Sequence, residues 1–158
     1  MSLSPEPPAP EAAAEATDAA LDGLLGYRMR RAWLAVQADL AETLRPFELR
    51  MITFTALVLV EANPKLNQAQ LARLMAMERP NLVVIVDELE QRGLIARNRA
   101  PEDRRAYALD VTGAGRTLCR EALCAVERHE ARLFRGLSGR ERRTVAAAFA
   151  TLRRNAEV

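Results

Sequence analysis

One histidine, one lysine and two cysteines are all that 158 residues hold of those types, and each scarcity closes a class of function. His129 is the only imidazole, and no spacing of carboxylates, Cys or His suggests a metal or nucleophile site. An enzyme is therefore not expected, no cofactor is implied, and His129 reads as a helix-surface or interface residue. Cys119 and Cys124 lie five apart on one helix, about 140° apart around its axis and about 7.5 Å along it. That separation does not suit an intrachain disulfide. They read as buried small hydrophobes, with a peroxide-sensing thiol as the alternative. The longest apolar run, "MITFTALVLV", falls far short of the roughly 18–20 residues that span a bilayer. The amino-terminal "MSLSPEPPAPEAAAEATDAA" lacks the basic and apolar regions of a signal peptide, so a cytoplasmic chain with no membrane partner is the expectation. There is no internal repeat and no glycine-rich phosphate loop.

What is present is arginine, unevenly placed. Residues 1–22 carry Glu6, Glu11, Glu15, Asp18 and Asp22 and no basic side chain, so a net charge of +2 for the whole chain leaves +7 on the remainder. All the basic residues but Lys65 are Arg, whose planar fork of donors suits phosphates and guanine edges. A GC-rich coding bias would produce the same preference.

The pattern along the chain is mostly helical. Residues 1–17, rich in Pro, Ala and Glu, read as a disordered acidic arm. A long helix is expected from about Ala19 to Leu44, with Leu21, Leu25, Met29, Ala32, Trp33, Val36, Leu40 and Leu44 on one stripe and Pro46 ending it. The segment from about Glu48 to Asn63 has strand-favouring Ile, Thr and Val, but its length and lack of turn residues argue for a buried helix. Asn67 and Gln70 form a capping box for the short helix in "NQAQLARLMAM", with Leu71 and Leu74 expected inward. Pro80 suits the first turn of the next helix, whose core stripe is Leu82, Ile85, Val86 and Leu89, and Gly93 is a C-cap signal. A hairpin follows, with Tyr107, Leu109 and Val111 on one face of its return strand. Thr112 is expected to cap a second long helix over about Gly113–Arg135. Ser138 and Glu141 cap the last, whose stripe is Val145, Ala148, Phe149 and Leu152.

Two short helices joined by a tight turn and followed by a two-stranded hairpin make a winged helix-turn-helix. In that arrangement the second helix enters a major groove with its amino-terminal residues toward base edges. Facing away from its core stripe are Arg79, Pro80, Asn81 and Val84. Arg can bond guanine bidentately, Asn can bond adenine, and Val or Pro can touch a thymine methyl. Gln68, opening the preceding helix, joins them as a candidate DNA contact. The hairpin carries Arg97, Arg99, Arg104 and Arg105, placed to follow phosphates and reach the narrow minor groove. Asp103 at the same tip shapes the turn and orients an arginine.

The string "LNQAQLARLMAMERPNLVVIVDELEQRGLIARNRAPEDRRAYALDVTGAGR" resembles the MarR-type (multiple antibiotic resistance) regulators, and the likeness extends over about residues 19–155. The Asp-x-Arg signature of the wing falls on Asp103 and Arg105. Glu78 holds the acidic position that starts the recognition helix, and Val111 stands where Leu is usual. The resemblance implies an obligate homodimer in which the terminal helices of two subunits interleave. The residues independently agree: two amphipathic terminal segments, 18–46 and 112–158, flank a winged domain over 47–111, and neither has a core of its own to join. Two-fold symmetry would make the operator a pseudo-palindrome with half-sites about one helical turn apart.

The resemblance also implies a small-molecule effector, of phenolic or aromatic carboxylate type, between the dimer helices and the DNA-binding lobe. Candidate lining residues are Met29 and Trp33 on the first helix and Met51, Phe54 and Thr55 on the second, with Arg28 and Arg30 placed to meet a carboxylate. Together these features predict a sequence-specific, ligand-relieved repressor of double-stranded DNA. The rivals are a winged helix that binds protein partners and a thiol-based redox regulator.

Overall fold

The computed structural model describes residues 17–100 and 103–156, apart from the side chains of residues 99–106. The chain divides into two units, residues 1–35 and 36–158. In the first, Ala19–Leu21 is a single 3-10 turn, and helix α1 runs from Leu25 to Leu44, into the second unit. The helix expected to begin at Ala19 thus begins at Leu25. The cause lies in Asp18 and Asp22: the Tyr27 hydroxyl donates to the Asp18 carboxylate, Arg31 Nη1 lies 2.9 Å from it, and Arg28 Nε donates to the Asp22 carbonyl at 2.5 Å. These side chains fold the segment back on α1, and Gly23, between the turn and the helix, adds no helical preference to oppose them.

In the second unit the ambiguous segment is helix α2, Met51–Ala62, preceded by a 3-10 turn at Arg45–Phe47 and by Glu48 in the left-handed region at φ 53. Its buried Thr53, Ala56, Leu57 and Val60 explain why β-branched residues are tolerated there: tertiary burial overrides propensity. Leu66–Asn67 forms a two-residue strand, β1, that the sequence reading missed. Helix α3 (Gln68–Leu74) follows at once, and Asn67 and Gln70 cap it reciprocally at 2.9 Å each.

Ala76 at φ 50 turns the chain out of α3. The Met77 N–H bonds the Ala72 carbonyl at 2.9 Å and the Ala76 N–H bonds the Arg73 carbonyl at 3.2 Å, a Schellman ending without its usual glycine. Leu71 and Ala72 seal α3 to the core, whereas Leu74, expected inward, is 56% exposed. At 100° per residue the centre of the Leu71–Ala72 face lies about 110° from Leu74.

Helix α4 spans Arg79–Gln91. Strands β2 (Ile95–Ala100) and β3 (Asp103–Val111) pair antiparallel, and β1 joins the far edge of β3 to give the order β1-β3-β2. The register sets Leu66 against Leu109 and Ile95 against Val111, with an irregularity between Arg99 and Ala100. Leu109 and Val111 are buried, but Tyr107 on the same face is 49% exposed, because there the hairpin has already run past the core. Helix α5 spans Gly113–Leu133, two residues short of expectation, and α6 spans Gly139–Ala156. Thr112 caps α5 by accepting from the Gly115 N–H at 3.0 Å, and Ser138 and Glu141 form the expected box ahead of α6.

One core joins Leu44, Leu49, Leu57, Leu71, Leu82, Leu89 and Leu109 with Cys119 and Ala122 of α5. Helix α6 contributes no buried residue to it, and Val145, Phe149 and Leu152 stand exposed. None of the described helices is long and apolar enough to cross a membrane.

Candidate nucleic-acid interface

Helix α4 is fixed on one side by apolar contact. Leu82, Ile85, Val86 and Leu89 are at most 5% exposed, and Pro80 occupies the first turn, where a missing N–H costs nothing. Gly93 at φ 67 ends the helix, with the Leu94 N–H bonded to the Leu89 carbonyl at 2.9 Å and the Gly93 N–H to the Glu90 carbonyl at 2.8 Å. Sealing that face leaves Arg79, Pro80, Asn81 and Val84 exposed, Val84 at 64%. Large exposed apolar side chains on a helix whose other face is core call for a partner surface, and Arg and Asn beside Val84 give that surface hydrogen-bonding specificity. Gln68, the first residue of α3, is half-buried. Glu78 sits at the N-cap of α4 without a side-chain capping bond. An open cleft of about 400 Å³ lies at the elbow of the two helices, lined by Ala69, Ala72, Arg73, Met77, Glu78 and Arg79.

Charged contacts tie α4 to its neighbours. Arg50, at the start of α2, pairs with Glu88. Arg92 donates to the carbonyls of Glu48 at 2.6 Å and Phe47 at 3.0 Å. From β2, Arg97 pairs with both Asp87 and Glu90. Burial alone would lower its pKa, but the hydrogen bonds and charges of the two carboxylates outweigh that and hold the guanidinium above its ordinary value. Arg97, expected among the phosphate contacts, is therefore turned back onto α4 with its side chain only 20% exposed. The reason is local: β2 leaves α4 through a tight turn at Gly93, which brings Arg97 alongside the last turns of the helix. The side chains of Arg99, Asp103, Arg104 and Arg105 lie outside the described residues; their backbone belongs to the β2–β3 hairpin.

Residues 49–107, which contain this helix pair and most of the hairpin, match the model of the MarR family. A Thauera aromatica protein named as a transcriptional regulatory protein for the hcr operon is 33% identical over 139 residues, 87% of this chain and 84% of that one. The chain belongs to the MarR family. Its solved relatives include the transcriptional repressor CouR bound to a 23-mer DNA duplex, 38% identical with a TM-score of 0.82 over 88% of this chain and 99% of that one. CouR from Rhodococcus jostii RHA1 bound to p-coumaroyl-CoA is 31% identical, with a TM-score of 0.74 over 84% of this chain and 91% of that one. This MarR-family chain is accordingly a DNA-binding transcriptional regulator, mostly helical with a winged helix.

The remaining candidates fall in two places. Arg28, Met29, Arg30 and Trp33 are exposed on the part of α1 in the first unit. Met51, Phe54 and Thr55 are half-buried on α2 in the second, where Thr55 Oγ1 donates to the Met51 carbonyl at 2.8 Å.

The two thiols differ. Cys124 is exposed, while Cys119 is buried, and burial, with a hydrogen bond to Glu61 and that group's charge, pushes its thiol up to about 12. A thiol so hard to ionise is a poor nucleophile toward peroxide.

His129, expected at a surface or interface, is 2% exposed in the single chain. Its Nε2 lies 3.0 Å from Asp39 Oδ2 but off the line of a hydrogen bond, and Nδ1 has no partner among the described residues. Arg132 donates to both Asp39 oxygens, at 3.0 and 2.8 Å, and holds that carboxyl below its ordinary range. This α1–α5 cluster escaped sequence reading because its members are up to 93 positions apart.

Proposed function

We propose that this regulator is a cytoplasmic homodimeric repressor that binds a pseudo-palindromic operator and leaves it when a small aromatic ligand binds. The observation that carries the reading is the exposed row Arg79, Pro80, Asn81 and Val84 on a helix whose reverse face is sealed into the core. It is supported by the DNA-bound repressor among the relatives. Gln68 and that row read bases, while Arg99, Arg104 and Arg105, with Asp103 orienting the tip, engage the backbone and minor groove from the wing.

Dimerisation is supported by α6. A helix of 18 residues with no buried side chain and with Val145, Phe149 and Leu152 on its surface leaves an apolar stripe that a second subunit would cover. The ligand class follows from the relatives bound to p-coumaroyl-CoA: an aromatic acyl thioester. Candidate contacts for it in the second unit are Met51, Phe54 and Thr55 on α2; in the first unit, taken by itself, Arg28, Met29, Arg30 and Trp33 are the candidates. Derepression requires that the ligand bind the DNA-incompetent form more tightly; equal affinity for both forms shifts nothing.

Selection from a genomic DNA library yields the operator. Aromatic acids and their CoA thioesters are then titrated with and without it, using the single Trp33 as reporter. The reading expects a ligand whose affinity falls with operator bound by the same factor by which it weakens operator binding. A ligand that quenches Trp33 equally in both titrations would show that it is not an inducer, and absence of any selected sequence would sink the operator reading.

A further inference from the structure

Helix α4 presents a difficulty for a DNA-reading element: its second half carries Asp87, Glu88 and Glu90. At 100° per residue Asp87 lies about 60° from Val84 and about 140° from Leu82, on the outward side of the helix. A carboxylate there faces the same way as the residues that read bases, and DNA presents one negative charge per about 1.7 Å of its axis. Glu90 follows one turn later, so the two carboxylates form a short acidic row.

Arg97 answers both. Its Nη2 bonds the Asp87 carboxylate and its Nη1 the Glu90 carboxylate, so one guanidinium spans the row. Its backbone N–H also donates to Glu90 Oε1 at 3.3 Å. Arg97 sits opposite Leu109 in the β2–β3 register, and β2 is an edge strand. Glu90 therefore occupies a backbone donor that an edge strand leaves open, while the guanidinium draws the base of the wing onto the helix. The opposite flank is held by Arg50 on Glu88. All three carboxylates of the helix are thus covered by arginines from other elements.

We propose that Arg97 is a positioning residue for DNA binding: it fixes the angle of the wing to the recognition helix and neutralises Asp87 and Glu90, without itself touching DNA. The proposal rests on the reading of α4 as the DNA-facing helix. It separates Arg97 from Arg99, Arg104 and Arg105, which share its charge and its hairpin but serve as contacts. The wing's four arginines therefore divide into one brace and three contacts.

A thermodynamic cycle in the full-length chain tests this, with Arg97→Ala and the pair Asp87→Asn/Glu90→Gln measured singly and together by fluorescence anisotropy on the selected operator at several salt concentrations. Arg97→Ala is expected to weaken binding about tenfold, the scale of a lost charge-assisted contact, with the slope of log K against log salt unchanged. In the Asp87→Asn/Glu90→Gln background it is expected to cost less than about twofold, because the partners it braces are already gone. A slope flattened by about 0.9, the signature of one lost phosphate contact, or a full loss persisting in the neutral background, overturns the proposal. Arg97→Gln replaces Arg97→Ala in every arm if the alanine variant does not fold.

Amide hydrogen exchange without DNA reads the brace separately. Arg97→Ala and Asp87→Asn/Glu90→Gln should both speed exchange at Asn98 and Ala108, which face each other across the β2–β3 ladder, and unchanged rates in both variants overturn the brace. If the wild-type chain binds no DNA, the interface reading falls, and the exchange arm still decides the contact between wing and helix.

Discussion

Two glycines two residues apart, Gly113 and Gly115, should respond to the same substitution with opposite signs. Both open α5, where alanine is the better helix former by up to about 1 kcal/mol, less in a first turn. A Cβ built on Gly113 meets nothing within 4 Å, so Gly113→Ala should be neutral or stabilising by a few tenths of a kcal/mol. A Cβ on Gly115 would lie 2.0 Å from the Leu94 carbonyl oxygen, 2.9 Å from the Leu94 carbonyl carbon and 2.8 Å from Val111 Cγ2. Two of those three atoms are backbone and cannot rotate away. The Leu94 oxygen is also the acceptor for the Thr112 N–H at 3.0 Å, and Thr112 in turn caps Gly115, so relief by displacement breaks the junction between wing and α5. Overpacking costs about 1–3 kcal/mol and loss of the cap about 1 kcal/mol more. After the few tenths gained in propensity are taken off, Gly115→Ala should destabilise by about 1.5–3.5 kcal/mol. With a urea slope of about 2 kcal/mol/M, the midpoint falls by about 1–2 M. The assay is urea unfolding by circular dichroism at one fixed protomer concentration, since assembly makes the midpoint depend on concentration. A Gly115→Ala midpoint indistinguishable from that of Gly113→Ala would refute the close approach of α5 to the wing.

At the helix start, Arg79→Ala or Asn81→Ala should each cost about 1–3 kcal/mol on the operator and relax preference at one position per half-site; competition with single-base variants measures it, and uniform weakening on all sequences would count against base reading. Removing residues 139–158 should abolish the dimer, and a dimeric sedimentation coefficient in the truncated chain would remove α6 from the interface. For the thiols, alkylation of the native chain near pH 8 should label Cys124 and spare Cys119, with peptide mass spectrometry as readout. Because the folded Cys119 thiol holds its proton up to about 12 against an ordinary 9.0, its contribution to stability is full below pH 9.0 and declines as pH rises toward 12. Cys119→Ser should remove most of that alkaline decline in unfolding measured at stepped pH, and an unchanged profile would assign the decline to other groups.

What was legible in the chain was chiefly its local chemistry. Asn67 with Gln70, Thr112 ahead of Gly115, Ser138 with Glu141, and Gly93 all do in the structure what their neighbours in sequence predict, because a cap bonds backbone only two or three residues away. The α4 stripe was legible because 13 residues show more than three turns of a single apolar face. Phase failed where the element was short. Seven residues of α3 cannot distinguish a face centred on Leu71 and Ala72 from one containing Leu74. Alternation placed Tyr107 on the correct face of β3 but could not say where along the strand the core ends. Strand β1 has two residues and finds Leu109 and Ala108 about 40 positions on, a non-local pairing that no window of sequence contains.

The candidate site shows the same limit in terms of charge. Exposure of Arg79, Asn81 and Val84 follows from the position of the core stripe, so naming the stripe named the row. Arg97 could not be assigned this way, because an arginine on a wing has two kinds of acceptor, phosphate and carboxylate, and sequence distance does not choose between them. The missed signal was acidic. A helix proposed to lie in a groove between phosphates carries Asp87, Glu88 and Glu90, and three carboxylates in such a place would need counter-charges from the chain itself. Among the wing arginines, it is Arg97 whose side chain the structure brings onto Asp87 and Glu90, as β2 leaves α4 through the turn at Gly93. The charge of a DNA-binding surface is therefore read correctly only after its internal pairs are subtracted, and here the pairs of Arg97 with Asp87 and Glu90 are the ground for proposing it as a brace and not as a contact.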